Sequence, residues 1–397
     1  MDPMPLEGLK VVEFTHMVMG PSIGLILGDL GAEVVKVEPE GGDHTRRLVG
    51  SGAGYFPMFN RNKRSICLDL RAAEGVEIVR RLASNTAMLV ESFRPGVLEE
   101  MGLSPDALLA ANPRLVVVRV SGWGQTGPFR HKPGFGTLVE GYAGFAAING
   151  FADREPVLPP MFMADAYAGL YGLTAAMIAL RHAEATGQGQ VVDLSLFEPM
   201  FTVLEPQMAN YRLTGRTKPR TGSRSTNTAP RNAYRTKDGG WVGLSSSTQA
   251  VFVRLMRSIG RPELAEDPRF RSNPDRLQHI EELDKVVADA VGRMTMAEAL
   301  AQFDRDGVTI GPIMDVRDLD GDDFVARREA LIEVPDAEMP GGVLPMHGEV
   351  PRLSATPGIL RNPAPKLGQD NGGILRPLLG EAEYARLRDA GVILGGT

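Results

Sequence analysis

The chain has 397 residues, 43% of them hydrophobic and 23% charged, which leaves room for two or three domains and supplies apolar residues enough for full cores. A formal net charge of −6, with acidic and basic residues interspersed, carries neither the footprint of a nucleic-acid binder nor a polybasic membrane patch. The single cysteine, Cys67, excludes a disulfide within the chain and any zinc or redox site built from cysteines, so a reducing compartment is expected. The N-terminus lacks a basic stretch followed by an apolar one, and no run of 18 apolar residues occurs. The expectation is therefore a cytoplasmic protein without membrane association.

In chain order, Leu9 to Phe14 predicts a short strand, Gly20-Pro21 starts a helix running to Leu30, and Glu33 to Glu38 gives a second strand, a β-α-β unit. Strands at Ser65 to Leu70, Ala87 to Phe93 and Leu115 to Ser121 alternate with helices at Glu74 to Ala83 and Pro105 to Ala111. A long helix of Ala, Gly, Leu and Met follows from Met161 to Leu180, and then a strand from Val191 to Phe197. This alternation predicts a doubly wound, Rossmann-like α/β domain over residues 1–205. Residues 206–231 lose periodicity and read as an extended linker or mobile loop. A hairpin, Asn232 to Thr236 and Trp241 to Ser245 around Lys237-Asp238-Gly239-Gly240, then opens a smaller α+β domain over 232–325. Its helices are expected at Thr248 to Ile259, Ile280 to Val291 and Thr295 to Asp306. Residues 326–397 read as a linker and a C-terminal return to the large domain. Seven prolines between Val334 and Gly368 argue against regular packing there, and a last helix is expected near Glu381 to Ala390.

The first strand-turn-helix invites a dinucleotide site, with Glu38 where a ribose-binding acid would stand. The turn, Phe14-Thr15-His16-Met17-Val18-Met19-Gly20-Pro21, has none of the closely spaced glycines that let a pyrophosphate approach, which argues against nicotinamide or flavin. No GxxxxGK[ST] loop, GxSxG elbow or HExxH pair occurs, and the six histidines show no ligand spacing, so no metal site is expected. Arg46, Arg71, Arg94 and Lys132 do fall at predicted strand ends, the edge where open α/β sheets bind ligands. Each alone reads as a solvated surface charge; together they suit a ligand with several phosphates. His16 follows the first strand at the same edge.

Asp165 stands at the head of the long helix, whose Ala164, Ala168, Gly172 and Ala176 form a small-residue stripe that another element can approach closely. Two readings of it compete. As a first-turn residue it accepts backbone N–H groups and complements the macrodipole. As a nucleophile it needs only to remain ionised, and helix-terminus stabilisation of up to ~2 kcal/mol offsets desolvation, so the readings are compatible.

Several stretches resemble the class III coenzyme A transferases, which include the formyl-CoA transferases: Gly28-Asp-Leu-Gly-Ala-Glu-Val-Val-Lys-Val-Glu38, Asn60-Arg-Asn-Lys-Arg-Ser-Ile66, Glu91-Ser-Phe-Arg-Pro-Gly-Val-Leu98, Gly122-Trp-Gly-Gln-Thr-Gly-Pro128 and Thr186-Gly-Gln-Gly-Gln-Val-Val-Asp193. The resemblance spans nearly the whole chain. It implies that Asp165, which matches the family's nucleophile, attacks an acyl-CoA thioester to give an aspartyl anhydride and then an aspartyl-CoA thioester. It also implies a large and a small domain in an interlocked homodimer, with acyl-CoA and a small carboxylate as substrates and no tightly bound cofactor. By resemblance the CoA site includes His16, Val18 and Met19, Arg46, Leu68, Asp69, Leu70 and Arg71, Ser92, Phe93 and Arg94, and Lys132 near Phe135.

Three departures mark this chain within the resemblance. Val18 stands where oxalate-using members carry Gln, Ser225-Thr-Asn-Thr-Ala-Pro230 replaces their glycine-rich lid, and Glu100 replaces an Arg. Oxalate is therefore not the expected acceptor. A racemase of the same fold needs two acid/base groups flanking the carbon alpha to the thioester, and the His expected after Gly134 is replaced by Phe135-Gly136. A non-catalytic CoA-binding protein is the remaining alternative.

Overall fold

Apolar runs buried on both faces are the mark of strands covered by helices on either side, and five of the six strands of the main sheet are of this kind, the edge strand Gln190–Ser195 being largely exposed. The computed structural model describes residues 3–336, 339 and 341–396. The order of elements is β1 (Lys10–Phe14), α1 (Met19–Asp29), β2 (Glu33–Glu38), β3 (Lys63–Cys67), α2 (Ala73–Ala83), β4 (Met88–Glu91), α3 (Pro105–Ala111), β5 (Val116–Ser121), α4 (Gly136–Tyr142), α5 (Met163–Thr186) and β6 (Gln190–Ser195). All pairs are parallel in the order β3-β2-β1-β4-β5-β6, so the strand order reverses between β1 and β4. Side chains two apart share a face. Val12, Phe14, Val35 and Val37 face α2 and the C-terminal helices, while Val11, Val34, Met88 and Val90 face α1 and α5.

The described chain divides into two units. One comprises Met1–Phe145, Pro159–Glu205 and Ala326–Thr397, the other Ala146–Leu158 and Pro206–Val325. The second unit holds α6 (Gln207–Thr214), an antiparallel sheet of β7 (Arg231–Arg235), β8 (Trp241–Ser245) and β9 (Ile310–Pro312), and the helices α7 (Gln249–Ser258), α8 (Ile280–Val291) and α9 (Met296–Arg305). Their apolar faces close a core around Phe252, Leu255, Val287 and Phe303.

Three expectations are corrected. Residues 206–231 are not a plain linker: α6 lies within them. The stretch before β7 is also fastened, with Arg224 Nε 2.5 Å from Asp284 Oδ2 and Ala229 N–H donating to Asn273 Oδ1 at 3.1 Å. The proline-rich tail is not devoid of regular structure: β10 (Leu331–Pro335) pairs antiparallel with β11 (Val343–His347); beyond it α10 (Asn371–Leu379) precedes α11 (Glu381–Asp389), the last helix the sequence predicts. Pro335 and Pro345 are tolerated because a two-stranded ribbon is all edge, where a missing donor can face outward; Pro340 lies outside the described residues. Finally, α5 is 24 residues long and apolar enough to cross a membrane by length and composition, with mean hydropathy 1.3. Its small buried residues account for that composition, since they pack on α1.

The motif around Asn60 ties the return segment to this sheet. Arg61 and Asn62 both bond the buried Asp29 at the end of α1, and Asn62 Oδ1 accepts the backbone N–H groups of Arg361 and Asn362.

Candidate active site

Every helix leaves its first four N–H groups without intrahelical partners, and at the head of α5 those of Met163 and Ala164 find acceptors outside the helix. Phe162, the cap, offers no side-chain acceptor. Met163 N–H donates to Met161 O at 2.8 Å and Ala166 N–H to Phe162 O at 2.9 Å. Ala164 N–H donates to Glu140 Oε1 at 3.1 Å. Glu140, on α4, is 2% exposed. Among the described residues, neither Glu140 nor Asp165 has an ion-pair partner.

The Asp165 carboxylate is half-buried and pushed up to about 6, first by loss of solvent and then by the negative charge of Glu140. Its own N–H opposes both. At pH 7 it is therefore mostly ionised yet more basic than a surface Asp, the state a carboxylate nucleophile needs. Gly136, first residue of α4, leaves room for it: a Cβ there would lie 2.6 Å from Asp165 Oδ2. Gly136→Ala is expected to push the carboxylate off its position and lower the turnover of any reaction at Asp165 by about 10- to 100-fold with little change in thermal stability. Parallel steady-state kinetics and melting curves check this; unchanged kcat would refute it.

One turn onward the stripe works by close approach. A Cβ at Gly169 would lie 2.7 Å from Ser22 Cβ and 3.2 Å from the Met19 carbonyl, and one at Gly172 would meet Ile23 Cδ1 at 2.6 Å. Phe162, just before the helix, packs on Tyr55 and Phe59. The heads of α1 and α5 are thus held together at the C-terminal edge of the sheet.

At that edge, where the strand order reverses, opens a cleft of about 730 Å³. His16, Leu68, Asp69, Leu70, Arg71 and Phe93 line it, with Phe93 packed on Phe14. His16 Nδ1 lies 3.4 Å from Ser92 Oγ, and burial first, with Lys36 and His44 adding to it, holds the ring below its usual pKa against the pull of Asp43. Arg71 is exposed but already bonded to Asp69 through Nε at 2.8 Å. Met19 is half-buried at the head of α1, and Phe135, 65% exposed, immediately precedes Gly136.

Other sequence candidates lie elsewhere. Arg46 has its guanidinium committed: Nη2 bonds Glu38 Oε1 at 2.6 Å, Nε bonds Glu38 Oε2 at 2.8 Å, Nη1 donates to Pro365 O, and the group stacks 3.7 Å over Phe56. Its role is to hold the loop after β2. Val18 is not a pocket residue but core, 3% exposed among Leu25, Phe59 and Phe162. Arg94 is exposed outside the cleft lining, and Lys132 sits 3.5 Å over the Phe129 ring. Sequence reasoning missed Glu140 and Gly136, the two residues that shape the surroundings of Asp165.

A six-stranded parallel sheet of order 3-2-1-4-5-6, with a half-buried carboxylate at a helix head on its ligand edge, defines a doubly wound α/β protein. The chain matches the CoA-transferase family III over residues 6–371 and belongs to that family. It is 41% identical to a succinyl-CoA--D-citramalate CoA-transferase of Chloroflexus aurantiacus over 96% of each chain, and 38% identical to the beta subunit of a succinyl-CoA--L-malate CoA-transferase of the same organism over 95% of each. A CaiB/BaiF family protein from Brucella suis superposes with a TM-score of 0.84 at 34% identity, covering 95% of this chain and 100% of the other. The protein is a CoA-transferase.

Proposed function

We propose that the protein moves CoA from succinyl-CoA to a dicarboxylate of malate or citramalate type, through covalent intermediates on Asp165. The half-buried carboxylate of Asp165 in the first turn of α5, with Gly136 leaving room beside its Oδ2, is the observation that supports the mechanism. The substrate pair is supported by the two relatives above, both of which are named for succinyl-CoA and a 2-hydroxy dicarboxylate. An Asp165 oxygen adds to the acyl carbon, the C–S bond breaks, and CoA leaves as thiolate. The thiolate then attacks the aspartyl carbonyl of the anhydride, releasing succinate and leaving an aspartyl-CoA thioester. The acceptor carboxylate and the same thiolate repeat the two steps in reverse. Each intermediate is an activated acyl group, so the site has to exclude water.

In this reading CoA occupies the cleft beside β1 and β4, with His16, Leu68 to Arg71 and Phe93 around it, and acts as substrate rather than as a bound cofactor. An interlocked homodimer belongs to the same reading, supported by the exposed Leu170, Tyr171 and Ile178 on the outer face of α5. The racemase alternative is disfavoured because Phe135 and Gly136, neither able to move a proton, stand where the second acid/base group is expected, with Gly136 directly beside Asp165.

The test is a panel of malate, citramalate, glutarate, oxalate and acetate against succinyl-CoA, with hydroxylamine trapping in parallel. Exchange to the hydroxy dicarboxylates and a hydroxamate on the Asp165 peptide are expected. Exchange to acetate or oxalate alone would overturn the substrate assignment, and deuterium uptake alpha to the thioester without exchange would overturn the reaction.

A further inference from the structure

Glu140 is a carboxylate buried almost completely, which among the described residues accepts one backbone N–H and pairs with no cation. Its Oε1 bonds Ala164 N–H, the residue next to Asp165. A buried charge in that position is costly unless it serves something. The surrounding elements supply no compensating group. On α1 the only charged residue is Asp29, at the far end and bonded to Arg61. On β5 Arg119 is committed to Glu91 and Glu99, and on β6 Asp193 accepts Gln125 N–H. On the helix Phe197–Thr202, which also packs on α4, Glu198 is exposed, and the charges of α5 other than Asp165 lie in its last two turns.

We propose that Glu140 is a positioning residue for the nucleophile: it fixes the first turn of α5 and, by like-charge repulsion, drives Asp165 toward its acylated, uncharged state. The inference rests on the aspartyl chemistry of the preceding section. When an Asp165 oxygen joins the acyl carbon and the C–S bond breaks, the electron pair leaves on the CoA sulfur, and the negative charge beside Glu140 leaves with it. Repulsion present in the free enzyme is thereby absent from both the anhydride and the thioester. The same repulsion makes Asp165 harder to ionise, so its effect on proton binding and on acyl binding must be equal: each pH unit by which loss of the Glu140 charge lowers the Asp165 midpoint is a tenfold fall in the acylation equilibrium constant.

The experiment compares wild type, Glu140→Gln and Glu140→Asp. Gln keeps an acceptor for Ala164 N–H without the charge, and Asp keeps the charge. Carbodiimide labelling of ligand-free protein across pH, read on the Asp165 peptide by mass spectrometry, gives the midpoint; the fraction of CoA adduct at fixed succinyl-CoA and succinate gives the equilibrium. E140Q is expected to lower the midpoint and to reduce the adduct by the matching factor, while E140D stays near wild type. An E140Q midpoint equal to wild type, a lowered midpoint with unchanged adduct, or an E140D variant behaving as E140Q would each overturn the proposal. Should wild type form no adduct, the transferase mechanism fails, while the labelling midpoints still decide whether Glu140 acts on Asp165.

Discussion

Asp165→Asn is expected to abolish CoA exchange, by ~10⁴-fold or more, and at the same time to make the protein more stable at pH 7. The loss follows from removing the attacking oxygen anion: an amide is nearly isosteric but cannot form the anhydride. The gain follows from linkage. Burial and Glu140 raise the carboxyl from 3.8 to about 6 in the folded protein. A group with a raised folded pKa contributes stability that is fully present below its unfolded pKa and lost as pH rises through the folded one. Above pH 6 the ionised Asp165 therefore costs stability. A rise of that size corresponds to ~3 kcal/mol, which partial solvent contact and ~0.5–1 kcal/mol from the helix terminus reduce to about 1–2 kcal/mol. Denaturation midpoints for Asp165→Asn should exceed wild type at pH 7 and converge with it between pH 6 and pH 4. The same titration sets the acid limb of wild-type exchange, which should fall to half near pH 6. An Asn variant no more stable than wild type at pH 7 would mean that the carboxylate is solvated, and the account of its basicity would fail.

The amount of this that was legible in the sequence divides along physical lines. Several regular elements match their predicted bounds, α3, α8 and β2 among them, whereas β3 ends at Cys67 rather than Leu70 and α5 continues six residues past Leu180 to Thr186. What periodicity cannot reveal is pairing. Arg46 and Arg71 look alike as basic residues past strand ends, yet one is clamped to Glu38 from eight positions away and the other lies on the cleft wall. Val18, in the turn where the resemblance places a substrate contact, turns inward because Leu25 and Phe59 offer it apolar surface. Met17 makes that turn with a φ of 65°, a left-handed conformation usually left to glycine, so the missing glycines were a poor guide to how the chain bends. Glu140 had no local signature at all. A short helix of mixed residues gives no pattern, and the contact that matters joins it to Ala164, 24 positions on.

The family motifs show the same division, since most of their residues support the site from beneath. Lys63 of the Asn60 motif is wholly buried. Its Nζ lies 2.8 Å from Glu13 Oε1 and donates to Pro21 O at 3.0 Å. Lys36, paired in register with Glu13, bridges to Asp43 at 3.0 Å and donates to Thr15 O at 2.7 Å. Two cations and two carboxylates thus neutralise one another beneath α1 and hold the turn after β1, whose Thr15 and His16 line the cleft. Burial still draws the Lys63 ammonium down to about 8 despite Glu13 and Asp43, so the cluster has little electrostatic margin. Gly24 of α1 makes the arrangement possible, because a Cβ there would be driven into the Glu13 carboxylate and would sit 3.0 Å from Lys63 Nζ. Gly24→Ala ought to be the more damaging of two changes that look harmless, despite the better helix propensity of alanine. Displacing Glu13 from Lys63, whose side chains are both fully buried, breaks a buried pair, which costs about 3–5 kcal/mol, far above the ~1 kcal/mol that alanine contributes to the helix. The expected result is a large drop in melting temperature for the unit that contains the parallel sheet, with CoA binding lost alongside. Gly260→Ala, in the second unit at an open position with φ of +74°, should show only a modest cost from backbone strain. Equal melting of Gly24→Ala and wild type would show that the charged cluster can rearrange freely, and the link drawn between the motif and the cleft would be lost.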